Sequence, residues 1–201
     1  MDVVAALLKV GADVNECDEL GVSALSTAAS WGQVEVCRLL LAHGADVNKA
    51  DQEGDTALHE AARADEMDVV ELLCEAEGID VNAKNTHGCT PLHVASHAGK
   101  GGMVKLLIRL GAEVNGPKGE MRGGYSALHV AAANGSSSSL SALLEGGANI
   151  RHSASESNIM HRSVSGTALE LAEANDHAEA ARILRHASQQ QFEQHGLFGP
   201  E

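Results

Sequence analysis

Gly44-Ala-Asp-Val-Asn48 is one phase of a pattern that the chain repeats throughout its length. Relatives of it run from Gly11 to Asn15, Gly78 to Asn82, Gly111 to Asn115 and Gly147 to Ile150. Between them stands a second motif, Gly-x-Ser/Thr-Ala/Pro-Leu. Its copies are Gly21-Val-Ser-Ala-Leu25, Gly54-Asp-Thr-Ala-Leu58, Gly88-Cys-Thr-Pro-Leu92, Gly124-Tyr-Ser-Ala-Leu128 and Ser165-Gly-Thr-Ala-Leu169. Self-similarity at a period of about 33 residues marks a solenoid of small units that cannot bury their apolar faces alone. Such stacks present long surfaces that are used for binding.

Each period reads as two short antiparallel helices and a turn. Ser23, Thr56, Thr90, Ser126 and Thr167 stand where a hydroxyl caps the first orphan amides of a helix. Pro91 follows such a cap at the one helical position where its missing N–H costs nothing. Small pairs such as Ala28-Ala29, Ala61-Ala62 and Ala131-Ala132 permit close approach of neighbouring first helices. Gly32, Gly99 and Gly135 then suit left-handed helix ends. Apolar residues at helical spacing, such as Val36, Leu39 and Leu40, make the second helix amphipathic.

The stretch Gly88-Cys-Thr-Pro-Leu-His-Val-Ala95 carries a resemblance: the chain resembles ankyrin repeat proteins over roughly residues 1–187. The resemblance implies an all-α solenoid of about five complete units plus an N-terminal half unit. We place the partial repeat at 1–18, repeats at 19–51, 52–85, 86–118 and 119–151, and a long hairpin loop with a capping repeat at 152–187. Residues 188–201 are expected as a flexible tail. The first helix expected before Asp2 is missing, which reads as an incomplete start. The resemblance also implies a concave face of hairpin tips and first helices that binds other proteins. It further marks Asn48, Asn82 and Asn115 as positions an asparaginyl hydroxylase can modify, although turn hydrogen bonding accounts for them by itself.

Composition excludes some classes. The formal net charge is −14, and residues 1–82 hold 18 Asp/Glu against 4 Lys/Arg, whereas 83–201 are balanced. Nucleic-acid backbone requires a basic surface, so no nucleic acid is expected. The acidic half reads as a solvated surface that also steers a partner with a basic surface. No apolar run reaches the length of a membrane span, and Met1-Asp2 opens no signal peptide. Cys17, Cys37, Cys74 and Cys89 form no paired spacing, which points to a reduced intracellular, cytoplasmic or nuclear setting; a monomer is expected. Cys74 takes the slot of Leu41 and is expected as a buried core thiol.

Function is expected where the repetition varies or breaks. The slots that the resemblance places on the concave face hold Leu20, Val22, Trp31, Asp55, Arg63, His87, His97, Tyr125 and Asn134, the candidate partner-binding residues. The chain's one Trp and one Tyr both fall in this set, and such side chains anchor interfaces. No aromatic is assigned to the repeat core. Spacing widens twice in hairpin segments, at 115–124 and at 151–165, and the second, Ser-rich insertion is expected as a mobile loop. Arg151-His-Ser153 and Arg162-Ser-Val-Ser165 within it resemble kinase targets.

Catalytic chemistry finds no support. Cys89, His93 and His97 recur at intervals of four, but His93 repeats His59 and His129 as a motif residue, and a structural zinc site needs four ligands. Gly99-Lys-Gly-Gly102 lacks the flanking residues of a phosphate loop. The expectation is a non-catalytic scaffold or adaptor without cofactor or metal, binding a partner protein. The alternative is a targeting or regulatory repeat fragment of a larger enzyme, such as a ligase or kinase.

Overall fold

The structure is a computed structural model that describes residues 2–115, 124–154, 158–159, 162–163 and 166–195. The widened hairpin at 116–123 and residues 196–201 of the expected tail lie outside the described residues. The described residues form an all-α repeat solenoid. A leading helix α1 (Asp2–Lys9) is followed by pairs α2 (Ala24–Ser30) and α3 (Val34–Ala42), α4 (Ala57–Ala64) and α5 (Met67–Cys74), and α6 (Pro91–His97) and α7 (Gly101–Arg109). Then come α8 (Ala127–Ala133) with α9 (Ser137–Glu145) and α10 (Ala168–Ala174) with α11 (Ala178–His195). First helices stack on one another, α2 on α4, α6, α8 and α10 in turn, and second helices α3, α5, α7, α9 and α11 form the other layer.

Local chemistry starts and stops these helices. Ser23, Thr56, Thr90, Ser126 and Thr167 are the N-caps of the five first helices. In the three central pairs the capping box is closed by a histidine, His59, His93 or His129. Each imidazole accepts from the cap amide at Nδ1, which leaves Nε2 protonated. That N–H donates to the hairpin of the following unit, at the carbonyls of Cys89 (3.0 Å), Tyr125 (3.2 Å) and His152 (3.1 Å). Burial lowers the His59 imidazole, and His129, edge-on to the His152 ring at 5.4 Å, is pushed down to about 4 by burial and by its neighbour. The motif histidine is therefore at once a cap and an inter-unit tie.

The asparagine that closes each unit is a second tie. Asn48 donates to Gly78 O (2.7 Å) and accepts from Asp80 N–H (2.9 Å). Asn15, Asn82 and Asn115 bridge to the next unit in the same two-way manner. These amides are thus spent between units rather than within their own turns.

The core is a continuous ribbon of Leu, Val and Ala in which Leu58, Leu73, Leu92, Leu107, Leu128 and Leu143 are almost fully enclosed. Cys37 is the wholly buried thiol, whereas Cys74 is only half-buried against the core. Burial pushes both thiols up to about 11.

The second helices of neighbouring units approach closely at Gly101 of α7, where an added Cβ would lie 2.7 Å from the Ser138 carbonyl oxygen of α9. At Gly102 it would meet only the mobile end of Met67, also at 2.7 Å. Glycine inside a helix costs about 1 kcal/mol relative to alanine. Gly102→Ala is therefore expected to leave the chain as stable or more stable, while Gly101→Ala destabilises it by about 1–3 kcal/mol through overpacking. Parallel urea titrations of the two variants check the sign of each effect.

Three expectations are corrected. Residues 188–195 continue α11 instead of forming a flexible tail, because no glycine or proline interrupts them before Gly196. The described part of the Ser-rich insertion is not a loose loop. Strand β1 (Ser153–Ala154) pairs with β4 (Gly166–Thr167), and β2 (Asn158–Ile159) pairs with β3 (Arg162–Ser163), so these backbone groups satisfy one another. Tyr125, assigned to the surface, belongs to a small buried cluster with Ala154 and Leu171.

Candidate functional site

Hairpin tips are built by an acid or amide that clasps its own turn. Asp18 Oδ1 accepts from the amides of Leu20 (2.9 Å) and Val22 (2.8 Å). Asp51 does the same for Glu53 and Asp55 (both 2.9 Å), and Asn85 for His87 (3.0 Å) and Cys89 (2.9 Å). Between each clasped pair of amides stands a glycine with positive φ, Gly21, Gly54 or Gly88. Neighbouring tips are tied by Gln52 N–H to Leu20 O (3.0 Å) and Thr86 N–H to Glu53 O (2.8 Å). Gly54 makes that approach possible: its φ is 79°, and a Cβ there would sit 2.8 Å from the Thr86 nitrogen.

On this frame the candidate residues separate into two groups. Leu20 is 64 % exposed and Trp31 74 %, large apolar side chains facing solvent. His87 and His97 are exposed, with His87 Nε2 lying 3.5 Å from Glu53, and Val22 and Asn134 are half-buried. Asn134 reaches the His97 carbonyl at 3.4 Å, which links adjacent units along the first-helix row.

In the second group Asp55 and Tyr125 face inward, while Arg63 stays exposed but is tied to Asp55. Asp55 is buried, ion-paired with Arg63 and accepting from Asn85 Nδ2 (2.8 Å). Although burial pushes its carboxyl up, these two hydrogen bonds hold it below the ordinary carboxylate range. Arg63 also pairs with Glu60, and the two carboxylates raise its guanidinium against the opposing effect of partial burial. Asp55 and Arg63 therefore serve the hairpin and helix they join; only the outer part of Arg63 remains at the surface. Tyr125 is 6 % exposed, its ring edge-on to His129 at 5.7 Å. Strand β1 brings Ala154 over it, so the expectation of an exposed tyrosine anchor is corrected.

Residues that repeat reasoning passed over lie at the turns between paired helices. Glu66 and Met67 begin the second helix of their unit, and Met67 is 41 % exposed. Their signal was available: at the slot of Glu66 the other units carry Gln33, Lys100, Ser136 and His177, so the position varies as a surface position does.

The face offers apolar, imidazole and carboxylate groups for recognition. Among the described residues no group of three His, Cys, Asp or Glu is placed to hold a metal ion. His93 is engaged through Nε2 in the tie to Tyr125, and Cys89 takes part in the preceding tie only through its backbone carbonyl. Among the described residues no helix is long and apolar enough to cross a membrane.

A family model described as ankyrin repeats matches residues 1–85 and 78–154. No curated protein matches the chain. With most of its length matched and the repeat geometry in place, the chain belongs to the ankyrin repeat family, whose domains are generally protein–protein interaction modules.

Proposed function

We propose that this chain is a non-catalytic scaffold or adaptor that holds a partner protein across the face formed by its hairpin tips and first helices. One observation carries the proposal: Leu20 and Trp31 are 64 % and 74 % exposed at slots that vary between units, while the nearby motif residues Ser23, Leu25, Ala28 and Ala29 are buried. Large apolar side chains held in water by a rigid frame supply interface energy when they are covered. His87, His97, Val22, Asn134 and the outer part of Arg63 complete the surface, with Tyr125 and Asp55 supporting it from beneath. The acidic balance of residues 1–82 favours a partner with a basic surface by accelerating its approach. Ankyrin repeat domains are typically non-catalytic, which agrees with a binding role.

Placement of a photo-crosslinking residue tests the face. At Leu20 it is expected to capture a partner from cell extract. At Arg38, exposed on α3 in the other helix layer, it is expected to capture none. Equal capture at both positions would contradict the assigned face.

A further inference from the structure

In the four later units the residue that opens the second helix also contacts the unit before it. Lys100 Nζ lies 3.4 Å from Asp65, and His177 Nε2 donates to Ala133 O at 2.9 Å. Ser136 sits over Gly99, 3.4 Å from where a Cβ would stand. Glu66 occupies the same place in its unit, and its carboxylate rests against Gly32, where a side chain would collide with it. It makes no side-chain hydrogen bond or ion pair among the described residues.

Immediately before Gly32 stands Trp31, 74 % exposed, and immediately after Glu66 stands Met67, 41 % exposed, with its methyl group over Gly102 of the following unit. An open indole of one unit, and an uncompensated carboxylate and a half-open thioether of the next, thus lie along the turns between paired helices, with the thioether reaching the unit after.

We infer that Trp31, Glu66 and Met67 form a recognition site for an arginine side chain, carried beside an aliphatic residue in an extended segment of the partner protein. The inference rests on the protein-binding reading above and narrows it to a partner chemistry. A guanidinium is planar, stacks on an indole face and pairs with a carboxylate through two parallel hydrogen bonds. Glu66 supplies the carboxylate and Trp31 the face, while Met67 accepts the aliphatic neighbour on a flexible, polarizable surface. The surrounding residues 1–82, with 18 acidic and 4 basic groups, attract a cation and repel an acidic peptide. A lysine ammonium satisfies the carboxylate but not the stacked, bidentate geometry.

Trp31 is the chain's one tryptophan, so intrinsic fluorescence reports this site without a label. The experiment selects random phage-displayed peptides against the whole chain, then titrates synthetic copies of the selected peptides while following Trp31 emission. The expected result is a shared arginine next to an aliphatic residue, and a change in emission on binding. Affinity should fall about tenfold to a hundredfold when that arginine is replaced by citrulline, or when Glu66→Gln is introduced.

Peptides without arginine, or citrulline copies that bind as tightly, overturn the arginine site with no change to the protein itself. If those peptides then lose affinity for Leu20→Ala, the binding face stands without this site. Selection that returns nothing above a no-target control overturns both.

Discussion

Replacing Leu107 by alanine is expected to lower the unfolding free energy by about 2–5 kcal/mol, the range for a large apolar side chain removed from a closed core. Leu107 is fully buried on α7, and α7 packs against α9 in the following unit and α5 in the preceding one. The cavity therefore opens inside a stacking interface, where a solenoid has only neighbouring units to compensate. Leu92→Ala, in the first-helix layer of the same unit, is expected to fall in the same range. Urea titration followed by circular dichroism measures both. A loss of only a few tenths of a kcal/mol would contradict the burial that defines the core.

Most of this architecture was legible in the sequence because it depends on local chemistry at fixed spacing. A hydroxyl two residues before each motif leucine is an N-cap wherever it occurs, and Gly32, Gly44, Gly54, Gly99 and Gly135 all adopt the left-handed φ that their positions imply. The errors arose where a residue's surroundings are set by something outside the period. Tyr125 sits in a variable slot, but the insertion unique to the following hairpin folds Ala154 over it. Asp55 sits in a variable slot too, but its carboxylate is buried against Arg63 and Asn85, a pairing that repeat alignment does not show because it treats each slot alone; Arg63 itself stays exposed. Glu66 escaped notice for the converse reason. Its slot looks like an ordinary helix start until the contact with Gly32 of the preceding unit is seen.

The second large effect is loss of stability in mild acid. His129 titrates at about 4 in the folded chain, chiefly because burial disfavours its charged form, against an ordinary value of 6.5. Above pH about 6.5 the imidazole is neutral in both folded and unfolded chains, and stability is fully present. Between about 6.5 and 4 the unfolded chain takes up a proton that the folded one refuses, so stability falls as pH falls. The full gap amounts to about 3 kcal/mol for this residue, on the scale of 1.36 kcal/mol per unit. His59, also buried, shifts in the same direction. The midpoint of urea unfolding should drop steeply from pH about 7 to about 4.5, and His129→Gln, which cannot ionise, should flatten that slope. A slope unchanged by the substitution would remove His129 as its source.

The proposed binding surface consists of variable residues carried on a repeating stack. Amide hydrogen exchange of the chain alone and with its crosslink-identified partner tests this most directly. Added protection is predicted at the hairpin tips 19–22, 52–55 and 86–89 and around Trp31. Protection confined to the second helices α3, α5 and α7 would contradict it.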